Sequence, residues 1–164
     1  MTNREALAQT LLALLEREQQ SILLYLLEAQ PFVDARTYRL SRDLRRMAQT
    51  CGEHQRQLIE MLNTLDVTIR PQPARRELAD HAYVDLHAEL PVLLEERRAL
   101  AAQYRQALEL AAQDTRFTGP LRELAEQTQR QVTTLEQHAD RLGPPPTAAM
   151  TKPLPPGGNP AQQI

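Results

Sequence analysis

From Leu40 to Leu65 the residues Leu40, Leu44, Met47, Cys51, His54, Leu58, Met61 and Leu65 follow one another at steps that alternate four and three without a slip. Such a repeat keeps one face of an α-helix turned to one side for about seven turns. It excludes a strand, whose side chains change face at every residue. Two other stretches carry the same rhythm: Leu7, Leu11, Leu14, Glu18, Ile22, Tyr25 and Ala29, and later Leu121, Leu124, Thr128, Gln131, Leu135, His138 and Leu142. Helices with one apolar stripe each must pack on one another, so the chain is expected to be all-α.

The first helix is expected from about Asn3 to Gln30, opened by Thr2 and Glu5 at capping-box spacing. Leu23, Leu24, Leu26 and Leu27 fall outside its stripe, so this helix is apolar on more than one side. That pattern suggests a homodimer through the first helix. Pro31 and Asp34 punctuate the chain, Asp34 as an N-cap, and a second helix runs to about Asp66. Arg36, Arg39, Arg42, Arg45 and Arg46 crowd its first half; they read as a solvated face paired to carboxylates, with an anionic partner as the alternative. Pro71 and Pro73 stop this helix. The segment Ala79 to Leu86 holds a short helix or a turn. A third helix starts near Asp85 or Pro91, with Pro91 placed in a first turn, and runs to about Asp114. Thr118-Gly119-Pro120 marks the next turn, and a fourth helix runs to Leu142. The last 22 residues, from Gly143, hold seven prolines; they are expected to be disordered or polyproline-like, and to serve as a plain tail or a docking peptide. The division is thus a helical bundle over 1–142 and a tail over 143–164.

Composition narrows function by exclusion. Hydrophobic residues make up 41% of 164 residues, enough for one core, while aromatics are 4% and Trp is absent. The net charge of −2 gives no overall basic field for nucleic acid. The single Cys51 has no partner for an internal disulfide. No signal peptide is visible, and the longest apolar run, Ile22 to Leu27, is too short to span a bilayer. A cytoplasmic protein without membrane or nucleic-acid partners is the expectation. There is no glycine-rich phosphate loop and no zinc-ribbon spacing. The polar cluster Asp80, His81, Asp85, His87 and Glu89 reads as exposed surface, with a surface metal site as the alternative.

Four polar groups lie on stripes that should face the bundle axis: Glu18, Cys51, His54 and His138. Burial is costly for such groups unless they are paired or bound to metal. Their sequence contexts carry a resemblance. Glu16-Arg17-Glu18 with Tyr25 seven residues after Glu18, then Cys51-Gly52-Glu53-His54, then Glu95-Glu96-Arg97-Arg98 with Tyr104, and finally Leu135-Glu136-Gln137-His138 follow in order. Over roughly residues 3–142 the chain resembles bacterioferritins and related ferritin-like four-helix bundles. The link between the second and third helices is about 20 residues, long enough to climb the bundle, and one long crossover between two helical hairpins is the arrangement of that family.

The resemblance implies a di-iron site built from a Glu on each of two helices and a Glu-x-x-His on each of the other two. Carried over residue by residue, it retains Glu18, His54 and His138. Glu96 is retained only if it, and not Arg97, faces inward, since the stripe can be drawn through either. Both bridging positions have changed, to Cys51 and Leu135. Glu53 and Glu136 sit one residue from their histidines, about 100° round the helix. The candidate metal residues are therefore Glu18, Cys51, His54, Glu96 and His138. Two readings stand. One is a non-catalytic bundle with no cofactor, an internal polar network in place of the metals, and a role in interaction or assembly. The other is a mononuclear zinc or iron site in metal handling or oxidant defence, with Cys51, His54, His138 and Glu18 as a tetrahedral set. Ferroxidase activity is not expected without the bridges.

Overall fold

The structure is a computed structural model that describes residues 2–29, 31–70 and 85–146. Among them it is all-α. Five helices, α1 (Asn3–Gln19), α2 (Ile22–Ala29), α3 (Tyr38–Thr64), α4 (Leu86–Leu110) and α5 (Thr115–Leu142), make four arms, because α1 and α2 are two parts of one broken arm. Pro71, Pro73, the Asp80–His81 part of the polar cluster, most of the Ala79–Leu86 segment and the tail beyond Pro146 lie outside the described residues.

Contacts at the helix ends fix the directions. Asn3 donates to the Leu110 carbonyl at 2.8 Å and Arg4 to the Leu65 carbonyl at 3.3 Å, so α1 starts where α3 and α4 end. At the opposite end the Leu86 N–H reaches the Phe32 carbonyl at 3.5 Å. Thus α1 runs antiparallel to both α3 and α4, and those two run parallel. The end of α5 meets the start of α3, where Arg36 donates to the Leu142 carbonyl at 3.2 Å. Around the bundle α1 packs on α3 and α4, and α5 packs on the same two.

Two apolar clusters fill the interior. One gathers Leu11, Leu14, Leu58, Leu62, Phe117 and Leu121 near the start of α1; the other gathers Leu23, Leu40, Leu44, Leu90, Leu93 and Leu135 near the opposite end. Every residue of the α3 and α5 stripes read from sequence is buried. Between the clusters lies a polar layer.

Four boundaries differ from expectation for local reasons. The first arm is not continuous. After Glu18 its helix ends, and Ser21 opens α2 by accepting from the Leu23 N–H at 3.2 Å. The Glu96 carboxylate accepts from the Ser21 hydroxyl at 2.6 Å and the Ile22 N–H at 2.9 Å, so a residue of α4 caps α2. The break shifts the inner face by a residue: Leu23 and Leu26 are buried, while Ile22, Tyr25 and Ala29 are half-buried. The apolar surplus that suggested a dimer is thereby partly consumed within the chain. Second, α3 stops before either proline. Val67 N–H bonds the Leu62 carbonyl and Asp66 N–H the Asn63 carbonyl, both at 3.0 Å, a Schellman close with Asp66 at φ 59°. Third, Asp34 does not cap α3 directly; it accepts from the Arg36 and Thr37 N–H groups and shapes the turn before it. Fourth, of the two starts expected for the third helix Asp85 is the one that caps it, and Asp114 caps α5 ahead of the turn expected at Thr118–Pro120, so Pro91 and Pro120 each fall at the sixth helical residue and Gly119 lies within α5. The Thr2–Glu5 capping box is present, with bonds of 3.2 and 2.7 Å.

Glu96→Ala is expected to cost about 1–2 kcal/mol, because it removes the cap of α2. Urea unfolding would read the loss, with amide exchange speeding at Ile22 and Leu23. Its exposed neighbour Glu95→Ala should be near neutral.

Candidate functional site

The polar layer is built around Glu18, in the last turn of α1. Its Oε1 accepts from His54 Nδ1 at 2.7 Å and from the Tyr104 hydroxyl at 2.9 Å. Its Oε2 lies 3.5 Å from a guanidinium nitrogen of Arg97. Glu18, His54, Tyr104 and Arg97 are all fully buried. The other ring nitrogen of His54 meets the Gln127 side-chain oxygen at 2.9 Å, and the His54 and Tyr104 rings pack edge to face.

Arg97 settles the choice left open by the third stripe: it faces inward and Glu96 does not. Leu90, Leu93, Arg97, Leu100, Tyr104 and Ala107 step by three and four, and all six are buried. The guanidinium donates to Gln131 Oε1 at 3.3 Å, to Cys51 Sγ at 3.5 Å and to the Ser21 hydroxyl, and Glu96 stands 3.6 Å away. One cation thus ties together α1, α3, α5 and the start of α2.

Burial acts against each charge here, and the pairing outweighs it. Desolvation raises a buried carboxyl, yet the His54 hydrogen bond and the Arg97 charge hold Glu18 below its usual range. Burial likewise opposes the Arg97 charge, while its anionic surroundings keep the guanidinium protonated. Burial pushes the Cys51 thiol up to about 12, against the pull of Arg97. Burial and the neighbouring Glu18 carboxylate raise the Tyr104 hydroxyl. Cys51 is therefore a neutral thiol and a poor nucleophile. Thiol reagents at pH 8 are expected to leave Cys51 unmodified in the folded chain and to label it fully in denaturant; a mass spectrum after brief alkylation distinguishes the two.

Of the five candidate metal residues, Glu18, Cys51 and His54 come together. Glu96 reaches the group only from its edge. His138 is elsewhere: Nε2 lies 2.8 Å from Asp43, and Nδ1 accepts from Arg141 at 3.1 Å. The tetrahedral set of Cys51, His54, His138 and Glu18 is therefore not assembled. Leu135, which the resemblance places at a bridging position, is fully buried in the apolar cluster. A di-iron pair does not fit this donor set. Among the described residues no group of three or more His, Cys, Asp or Glu side chains is arranged to hold a metal ion. Glu53 is exposed, and Glu136 pairs outward with Arg98 at 2.7 Å. His87 and Glu89, read as surface, are buried; His87 Nε2 meets the Gly143 carbonyl at 2.9 Å and pins the end of α5.

Ser21, Gln127 and Asp43 carry no signal in the sequence, since each takes its role from a residue far along the chain. Arg97 does carry one, the unbroken rhythm from Leu90 to Ala107. The usual exposure of arginine argues against it. No described helix is long and apolar enough to cross a membrane. Comparison with protein-family models, with curated proteins and with solved structures finds no match.

Proposed function

We propose that this chain is a ferritin-like bundle in which a guanidinium stands where related proteins hold metal, and that it acts as a non-catalytic interaction or assembly module. The helix directions support the fold: α1 opposes both α3 and α4, and the chain between Arg70 and Asp85 joins two parallel helices. The observation that carries the functional reading is Arg97, fully buried and within 3.6 Å of Glu18, Ser21, Cys51, Gln131 and Glu96.

A guanidinium supplies the positive charge that buried Glu18 requires. It cannot change oxidation state, and it offers no open coordination position at which water could be activated. The layer around it holds the arms in register and leaves interaction to the outer surface. Self-association through the first arm would rest on Leu24 and Leu27, which remain half-buried. The competing reading, a zinc or iron site on Glu18, Cys51 and His54, requires Arg97 to leave the core.

Elemental analysis separates the two readings. The purified, untagged protein, incubated with excess ferrous iron or zinc and desalted, is expected to carry no metal above background. About one metal per chain, lost in His54→Ala, would sink the module reading.

A further inference from the structure

The corner between α2 and α3 leaves apolar side chains in solvent. Phe32 is 66% exposed, Tyr38 64% and Val33 36%, three of the four large apolar residues so exposed among the described residues. Beside them a groove of about 370 Å³ opens, its apolar lining including Leu26, Leu27, Leu44 and Leu86. Tyr38, Ser41 and Arg45 share one face of α3, and Ser41 and Arg45 line the groove.

Only part of the arginine face is paired to carboxylates in the way sequence suggests. Arg42 and Arg46 each lie 3.9 Å from Asp43, the acid that also meets His138. Arg36 is engaged at the Leu142 carbonyl. Arg39 and Arg45 are exposed, with no acidic partner among the described residues. Residues 31–46 hold five arginines and two aspartates in a chain of net charge −2.

We propose that this corner docks an acidic peptide segment of a partner protein, resting on the interaction-module reading above. One or two bulky apolar side chains of the segment fill the groove beside Leu27 and Val33, and its carboxylates meet Arg45 at the groove edge, with the exposed Arg39 and Arg42 adding positive charge nearby. The apolar anchors give affinity, and the arginines select the charge and speed encounter. The chain's own C-terminal part departs from the same end of the bundle, but residues 143–164 contain no Asp or Glu and do contain Lys152, so their charge does not match the rim. Nucleic acid would satisfy the arginines and leave the leucine-lined groove unfilled.

The test is selection of a random twelve-residue peptide display library on the full chain. The enriched peptides are expected to be net acidic with Leu, Phe or Trp anchors. As synthetic peptides they should bind the full chain and lose at least tenfold in affinity to both Arg45→Glu and Ser41→Trp, variants at the groove edge whose folding is checked by circular dichroism. Enrichment of neutral or proline-rich peptides that respond to Ser41→Trp would overturn the acidic occupant and point to the chain's own tail. Peptides indifferent to both variants, or no enrichment at all, would overturn the site. Stoichiometric metal in the elemental analysis would instead remove the module reading, whatever the peptides do.

Discussion

Arg97→Met is expected to lower the unfolding free energy at pH 7 by about 3–5 kcal/mol, the loss typical when one partner of a buried ion pair is removed. Methionine keeps much of the side-chain volume, so the effect is mainly electrostatic. It leaves Glu18 ionised in the core with only His54 and Tyr104 to compensate, at 2.7 and 2.9 Å. It also strips Cys51, Gln131 and Ser21 of a shared donor. Small domains have only about 5–15 kcal/mol of stability, so this variant should melt far earlier and populate unfolded chains on warming. The adjacent Arg98 provides the control. Its pair with Glu136 is 57% and 41% exposed, and Arg98→Met should stay within about 0.5 kcal/mol of the parent. Urea unfolding of the three proteins side by side reads the difference.

The second large effect is on acid stability. The folded Glu18 carboxyl titrates below its ordinary 4.5, whereas the unfolded chain titrates near that value. Its contribution to stability is therefore complete above about 4.5 and is lost as pH falls through the folded value. Once Glu18 is protonated, Arg97 is left as a buried cation facing only Glu96, and the polar layer works against the fold. The urea midpoint is expected to fall steeply on going from pH 5 to pH 3. Asp34 and Asp114, also held low, the first by hydrogen bonds with Thr37 and the second by its bond with Arg116, act in the same direction from the surface. Glu18→Gln isolates the buried group: it should be less stable at pH 7, yet show a shallower loss below pH 4.5. Parallel pH profiles for Glu18→Gln and the parent would place the acid sensitivity elsewhere.

Much of the helical frame was legible because its cause is local. The four-and-three rhythm of α3 and α5 survives intact in the structure, and the Thr2–Glu5 box and the Asp85 cap are short-range devices. The broken first arm was not legible, because its cause is distant. Four leucines between residues 23 and 27 fit any helical phase, and Ser21 marks the start of α2 in concert with Glu96, 75 positions beyond it. The same long-range logic hid half of the site. His54 and His138 occupy equivalent places on their stripes, but Asp43 and Arg141 draw His138 out of the polar layer, while Glu18 holds His54 within it. In the third stripe the pattern admitted either Glu96 or Arg97, and residue chemistry pointed Arg97 outward. The structure takes Arg97, because Glu18 makes a buried cation favourable there.

A double-mutant cycle between Glu18 and Arg97 tests the internal guanidinium most directly. Glu18→Gln keeps an acceptor for Tyr104 and His54, and Arg97→Met keeps volume, so the cycle isolates their mutual charge. The two substitutions together are expected to cost less than their sum by about 2–3 kcal/mol, since removing both charges leaves neither stranded. Losses that add to within about 0.5 kcal/mol would mean that the two groups do not sense each other in the folded protein, and would contradict an arginine standing as the resident cation of this core.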